Sequence, residues 1–413
     1  MYSMNPTPQT DGPLPASPDP LFDEPVMRRG TDSAKWNSDS RDDILPLWVA
    51  DMDFRTAPPI IDALRQRVQH GIFGYVSVPA ACDQALINWC ARRHNWSFPA
   101  EHILHTSGVV PAISAVLRAL TRPGDGVLVQ TPVYNCFFSS IRNMGCRAIT
   151  SPLRPEGDHY VMDFEDLEQR AADPRTTVML LCNPHNPVSR VWTPDELERL
   201  SDICRRHRLA LVSDEIHGDL VLPGYRYTPC ASLPGNQGSC ITLLSAGKAF
   251  NIAGLQLAFI VCPEPETRRR IDKAINIHEV CDVNPFGVAA STAAYTHGEE
   301  WLKRLMIYLQ GNYRELCDFF SRHLPGLPVT RLEGSYLVWV DCRSLLPGPA
   351  GDPGRADAEP SLADRLFNAT GLRLNGGELY GAEGYGYLRW NIACPRRLLR
   401  DALDRFRRFV ASL

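Results

Sequence analysis

Residues 243–256 read LLSAGKAFNIAGLQ. An apolar run leads in, small residues surround Lys248, and FNIAG follows. The stretch has the composition of an interior, yet lysine is among the side chains least often buried. An amine in such a place has either snorkelled from a strand end or been put there for its chemistry. Desolvation or a neighbouring positive charge lowers a lysine pKa and makes the amine nucleophilic near neutral pH.

Working outward, short apolar runs alternate with helical patterns. GVLVQ (126–130), TVMLLC (177–182), LALVS (209–213), CITLL (240–244) and LAFIVC (257–262) have strand length. Helical spacing marks 108–120 and 136–143, and 194–207 is an amphipathic helix. There Thr193 is the candidate N-cap and Glu196 stands at the capping-box position. Evenly apolar strands separated by helices predict an α/β fold whose mostly parallel sheet is covered on both faces. Ligands of such sheets gather beyond the carboxyl ends of the strands. Polar groups follow the strands here: Asn183-Pro-His-Asn-Pro after TVMLLC, Asp214-Glu-Ile-His after LALVS, and Ser245-Ala-Gly-Lys after CITLL.

The chain has 413 residues, which suggests a large and a small domain. A net charge of −4 offers no basic field for nucleic acid or anionic membrane. No apolar run is long enough to span a bilayer, and an export signal is not expected. The 13 cysteines are dispersed with no Cys-x-x-Cys pair, as in a reduced, cytoplasmic protein, and no metal is expected. Residues 1–20 are rich in Pro, Ser and Thr and predict a disordered tail. LPGPAGDPGRADAEP (346–360) predicts a surface loop. A long helix over 299–320 and strands at 335–340 and 387–392 predict a smaller α+β unit. The expected division is therefore 61–298 for the large domain, with 21–60 and 299–413 forming the small one.

Several residues beside Lys248 carry chemistry. An aspartate closing a buried strand, Asp214, is costly unless paired. A pyridinium nitrogen, an N-cap and a salt bridge are all possible partners. Asn186 and His217 could meet a phenolate oxygen, or serve turn and core. Tyr134 could stack on a ring. Ser107-Gly108-Val109 precedes a helix, where backbone N–H groups bind phosphate readily. Arg389, inside an apolar strand, needs an anion, either a ligand carboxylate or one from the protein.

Taken in order, WVADMDF (48–54), FGYVSVP (73–79), SGVVPAI (107–113), TPVYNCFF (131–138), CNPHNPVSRVWT (182–193), SDEIHGDL (213–220), SAGKAFNIAGLQ (245–256), VNPFGVAA (283–290) and LRWNIACPR (388–396) cover roughly residues 20 to 410. The set resembles fold type I pyridoxal 5′-phosphate (PLP) enzymes of the aminotransferase class I/II superfamily, and most closely the MalY/PatB-like cystathionine β-lyases. The resemblance implies that Lys248 carries the cofactor's aldehyde and moves the substrate proton. It implies that Asp214 pairs with the ring nitrogen, that Asn186 and His217 meet the phenolic oxygen, and that Tyr134 stacks on the ring. Gly108, Val109 and Ser245 would hold the phosphate, joined by Tyr75 of a neighbouring subunit in a homodimer with shared sites. Arg389 would bind the substrate carboxylate, and the backbone of Ala50 and Asp51, with Tyr75, would line the substrate mouth.

The implied reaction is β-elimination on an S-substituted L-cysteine, such as cystathionine or a larger conjugate, giving thiol, pyruvate and ammonia. Transamination uses the same residues. A decarboxylation-coupled oxidative deamination is kept open by Ser189 and Ala249, which, with Arg55, stand where the family has other residues.

Overall fold

The computed structural model describes residues 19–278, 282–346 and 360–413. Most of the expected tail and of the 346–360 loop lies outside the described residues. Within them, one sheet runs in the order Ile103–Thr106, Ala258–Val261, Ile241–Leu244, Ala210–Asp214, Thr176–Cys182, Gly126–Thr131, Arg147–Pro152. Ala258–Val261 is antiparallel to both neighbours, and the strands beyond it are mutually parallel.

The apolar strand sequences follow from burial on both faces. Val127, Val129, Val178, Leu180, Val212 and Leu243 pack into a core with the helix Val109–Leu120. The alternate residues Leu128, Met179, Leu181, Leu211 and Leu244 enter a second core on the opposite face. Each such side chain is worth about 1.5–3 kcal/mol when fully buried, so neither face can be given up to water. Two strands of this sheet were not expected from the sequence, Ile103–Thr106 and Arg147–Pro152, and both are its edges. ILHT and RAITSP mix polar and apolar residues because an edge is only partly covered.

The helix Pro194–His207 starts as expected. Thr193 Oγ1 accepts from the Glu196 N–H (3.2 Å), and the Glu196 carboxylate accepts from the Thr193 N–H (2.8 Å). The long helix Glu299–His323 leads to an antiparallel sheet of Leu337–Asp341, Tyr387–Asn391 and Asn375–Gly376. Leu45–Pro46 pairs in parallel with Leu372–Arg373 as a separate two-stranded sheet, which ties the N-terminal region to the C-terminal part of the chain. The helix Pro58–His70 straddles position 60, where the sequence placed a domain boundary.

Candidate active site

The carboxyl ends of the parallel strands open onto a cavity of about 200 Å³. Asp214 closes its strand, Asn186 follows Thr176–Cys182, and the 245–248 turn follows Ile241–Leu244. Gly108 and Val109 reach the cavity at the start of the helix Val109–Leu120, and Tyr134 reaches it just before the helix Asn135–Asn143. His217 and Ala50 complete the set of expected residues on its wall. Gly247 has a steric reason to be glycine: a Cβ there would come within 3.1 Å of Ser245 Oγ and 3.2 Å of Ala253 Cα. Any side chain would push the turn that carries Lys248.

Lys248 is not packed into the interior. It is part-exposed into the cavity, and its amine donates to the Ala50 carbonyl at 2.5 Å. Burial and the nearby Arg389 charge push the amine down to about 8, against the opposing pull of Asp51 and Asp214. Asp214 is 3% exposed, and burial pushes its carboxyl up to about 7. The Ile216 N–H donates to its Oδ1 at 3.2 Å, a turn contact, and no cation pairs with it among the described residues. Burial holds His217 neutral, at about 3, and its Nδ1 has no hydrogen-bond partner among the described residues.

Arg389 stands just behind the wall, 3% exposed. It donates to Asn186 Oδ1 (3.2 Å) and to the Trp48 carbonyl (2.8 Å), and it lies 4.9 Å above the Tyr380 ring. Among the described residues no carboxylate pairs with it, and its buried Nε has no partner. Of the two anions the sequence left open, the protein's own is supplied by no carboxylate of the described residues.

Other expected residues are placed differently. Tyr75 is 98% exposed and away from this cavity. Asp51 does not line it. The Asp51 carboxylate turns to Arg28 (2.7 Å) and Lys35 (3.4 Å), and its carbonyl is taken by Asn391 (2.6 Å). Ser245 lines the cavity, but its hydroxyl proton goes to the Leu257 carbonyl (2.7 Å) while its oxygen accepts from the Gly247 N–H. In this arrangement the hydroxyl proton is already committed and is not directed into the cavity.

None of the three positions that depart from the family lines the cavity. Ala249 is buried in the core, and Arg55 pairs with Glu24 at the surface (3.2 Å). Ser189 has φ 61°, a conformation suited to glycine, and its hydroxyl bonds the Leu337 carbonyl.

Sequence reasoning missed Tyr336, Tyr380 and Asn391. Tyr336 Oη donates to the same Ala50 carbonyl at 2.9 Å. Asn391 donates to the carbonyls of Val49 and Asp51. Both lie in strand patterns that read as packing; a polar residue in a buried strand was the available signal.

The arrangement fits PLP on its own chemistry. A buried carboxyl without a cation suits a protonated ring nitrogen. A neutral imidazole with an unpartnered nitrogen suits a phenolic oxygen. An amine shifted to about 8 suits an aldehyde, and a helix start suits a phosphate.

The pattern of the aminotransferase class I and II family matches residues 42–406. The chain is 38% identical to cystathionine beta-lyase PatB of Bacillus subtilis (strain 168) over 94% of this chain and 98% of that one. It is 32% identical to protein MalY of Escherichia coli (strain K12), over 92% and 96%. The PLP-bound C-S lyase from Staphylococcus hominis superposes with a TM-score of 0.87 at 30% identity, covering 94% and 98% of the two chains. With this site at the strand ends, and with these matches over nearly its whole length, the chain belongs to the aminotransferase class I and II family.

Proposed function

We propose that the protein is a PLP-dependent carbon–sulfur β-lyase that acts on an S-substituted L-cysteine and releases a thiol, pyruvate and ammonia. The observation that carries this reading is the convergence of Lys248 with the buried Asp214 carboxyl and Arg389 guanidinium, neither of which is held in a salt bridge among the described residues. The names of the relatives and structural neighbours support the lyase outcome.

Bound PLP supplies a sink for the electron pair left at the substrate's Cα. Asp214 keeps a proton on the ring nitrogen through its buried negative charge. His217 and Asn186 would hold the ring's phenolic oxygen, and Tyr134 would stack against the ring. Arg389 receives the substrate carboxylate, with Tyr380 under its guanidinium. Lys248, its amine pushed down to about 8 by burial and the Arg389 charge, removes the Cα proton and can return a proton to the departing sulfur. A thiolate leaves readily because its pKa is low. The apolar wall of Val110, Pro111, Ile216 and Leu257 limits water at that step.

We also read the active form as a homodimer. Tyr75 is fully exposed beside the exposed Ile72 and Phe73, in the short segment between His70 and Val76, two residues that line an open groove between the helices Pro58–His70 and Pro285–His297. Three exposed large apolar side chains so close in sequence suit a partner subunit, which would bring its Tyr75 to this site. In this reading 61–298 forms the body that holds the cofactor, while 21–60 and 299–413 form the smaller unit that carries Arg389. The dispersed free thiols support a reducing, cytoplasmic setting.

Purified protein given S-substituted cysteines and cystathionine, with no 2-oxo acid, tests the reading. Equal amounts of thiol, pyruvate and ammonia are expected. Turnover only with an added 2-oxo acid would make the enzyme a transaminase, and carbon dioxide release or oxygen demand would make it a deaminating decarboxylase.

A further inference from the structure

The segment over Lys248 has no regular secondary structure, and its main-chain carbonyls are all held by donors. Leu47 O accepts from the Asn391 N–H at 3.0 Å. Trp48 O accepts from Asn375 (3.1 Å) and Arg389 (2.8 Å). Val49 O and Asp51 O share the Asn391 amide, each at 2.6 Å. Met52 O accepts from Arg28 (3.2 Å) and Asn251 (3.0 Å). On the flank, Asp53 is locked to Lys35 and Arg28, each at 2.7 Å. Between these fixed neighbours lies Ala50, whose carbonyl takes the Tyr336 hydroxyl at 2.9 Å and the Lys248 amine at 2.5 Å.

Tyr336 is fully buried, and its ring stands edge-on to His217 at 6.3 Å. A buried phenol requires a partner; this one uses the carbonyl that the lysine also uses. We propose that Tyr336 is a positioning residue, whose hydroxyl fixes the Ala50 carbonyl as the cradle that holds the Lys248 amine whenever that amine is not covalently engaged. The inference rests on the reading of Lys248 as the base of the reaction. A carbonyl already held in place accepts the N–H without reorganising, and it stabilises the charged amine more than the neutral one. Freed from covalent attachment, the amine would otherwise sample several rotamers over the substrate.

The test uses the apoprotein first. The rate at which acetic anhydride modifies Lys248 is followed against pH by peptide mass spectrometry, in wild type and in Tyr336→Phe, which keeps the ring and removes only the hydroxyl. The midpoint is expected to fall by about half a pH unit, because the ammonium loses its fixed acceptor. An unmoved midpoint overturns the proposal. So does a raised one, which would make the hydroxyl a competitor of the amine. A second variant carries 4-aminophenylalanine at position 336 and returns an N–H donor to the same place. Its midpoint is expected to match wild type, and a displaced midpoint in the folded variant overturns the proposal independently.

In the PLP-loaded enzyme Y336F is expected to lose about tenfold in kcat with KM within about twofold, since the cradle acts on the base and not on substrate binding. A loss confined to KM speaks against it. Failure of the lyase reading itself shows elsewhere, as a wild type that forms no thiol and pyruvate.

Discussion

The guanidinium of Arg389 donates to Oδ1 of Asn186 at 3.2 Å, across 203 residues of chain. The group read as the grip on the substrate's carboxylate is thus fixed by the group read as the partner of the cofactor ring. Substrate and ring are referred to one frame. Replacing Arg389 with Lys keeps the charge but loses the planar fork and its bond to Trp48. A fall in kcat/KM of about 10²-fold, mostly in KM, is expected from steady-state kinetics.

Asp214 gives a pH signature in the apoprotein. Its carboxyl is raised from 3.8 to about 7 by burial, so the folded state keeps a proton that the unfolded chain releases. Stability from this group is present below about pH 4 and is lost as pH rises through about 7. Asp214→Asn carries no such charge. Urea unfolding is expected to show it close to wild type at pH 4 and more stable by a few kcal/mol at pH 8. The holoenzyme version of D214N should lose about 10²-fold or more in kcat, because the ring nitrogen loses its anion.

Ser189→Gly should be nearly silent. The change relieves a left-handed φ that costs a serine about 1 kcal/mol, but it leaves the Leu337 carbonyl short of a donor at a similar cost. Unfolding free energy is expected to move by less than about 1 kcal/mol. Because Ser189 faces Leu337 and not the cavity, kcat/KM should stay within about twofold and the products should not change. A change of reaction type in S189G would restore this position as a determinant.

The proposed sharing of sites across a dimer predicts complementation. Lys248→Ala and Tyr75→Ala should each be inactive as homodimers. After mixing and subunit exchange, one of the two sites in each mixed dimer has both residues intact. About one quarter of wild-type activity is expected from random pairing. No recovery in a mixture that sedimentation shows to have exchanged would place Tyr75 in its own subunit's site, or in none.

The sheet was readable because interior strands covered on both faces must be apolar throughout, as TVMLLC and CITLL are. The edge strands Ile103–Thr106 and Arg147–Pro152 escaped, since half-covered backbone permits mixed residues. Lys248, Asp214 and Asn186 were legible because strand ends in a parallel sheet place their followers together, so local sequence predicts a shared neighbourhood. Tyr336 in SYLVWV gave no such signal: its hydroxyl meets Ala50, 286 residues away, and a tyrosine in a buried strand reads as packing.

Local sequence therefore determined the elements, their order and the chemical inventory, because helical and strand periodicity and strand-end position are properties of neighbours along the chain. Tertiary structure decided which groups are left without a partner. It turned Asp51 onto Arg28 and Lys35, removed Ser189, Ala249 and Arg55 from the cavity wall, and left Arg389 and Asp214 outside every salt bridge among the described residues. Whether a buried ion is neutralised depends on groups folded against it from distant segments, and that is a property of the packed molecule alone.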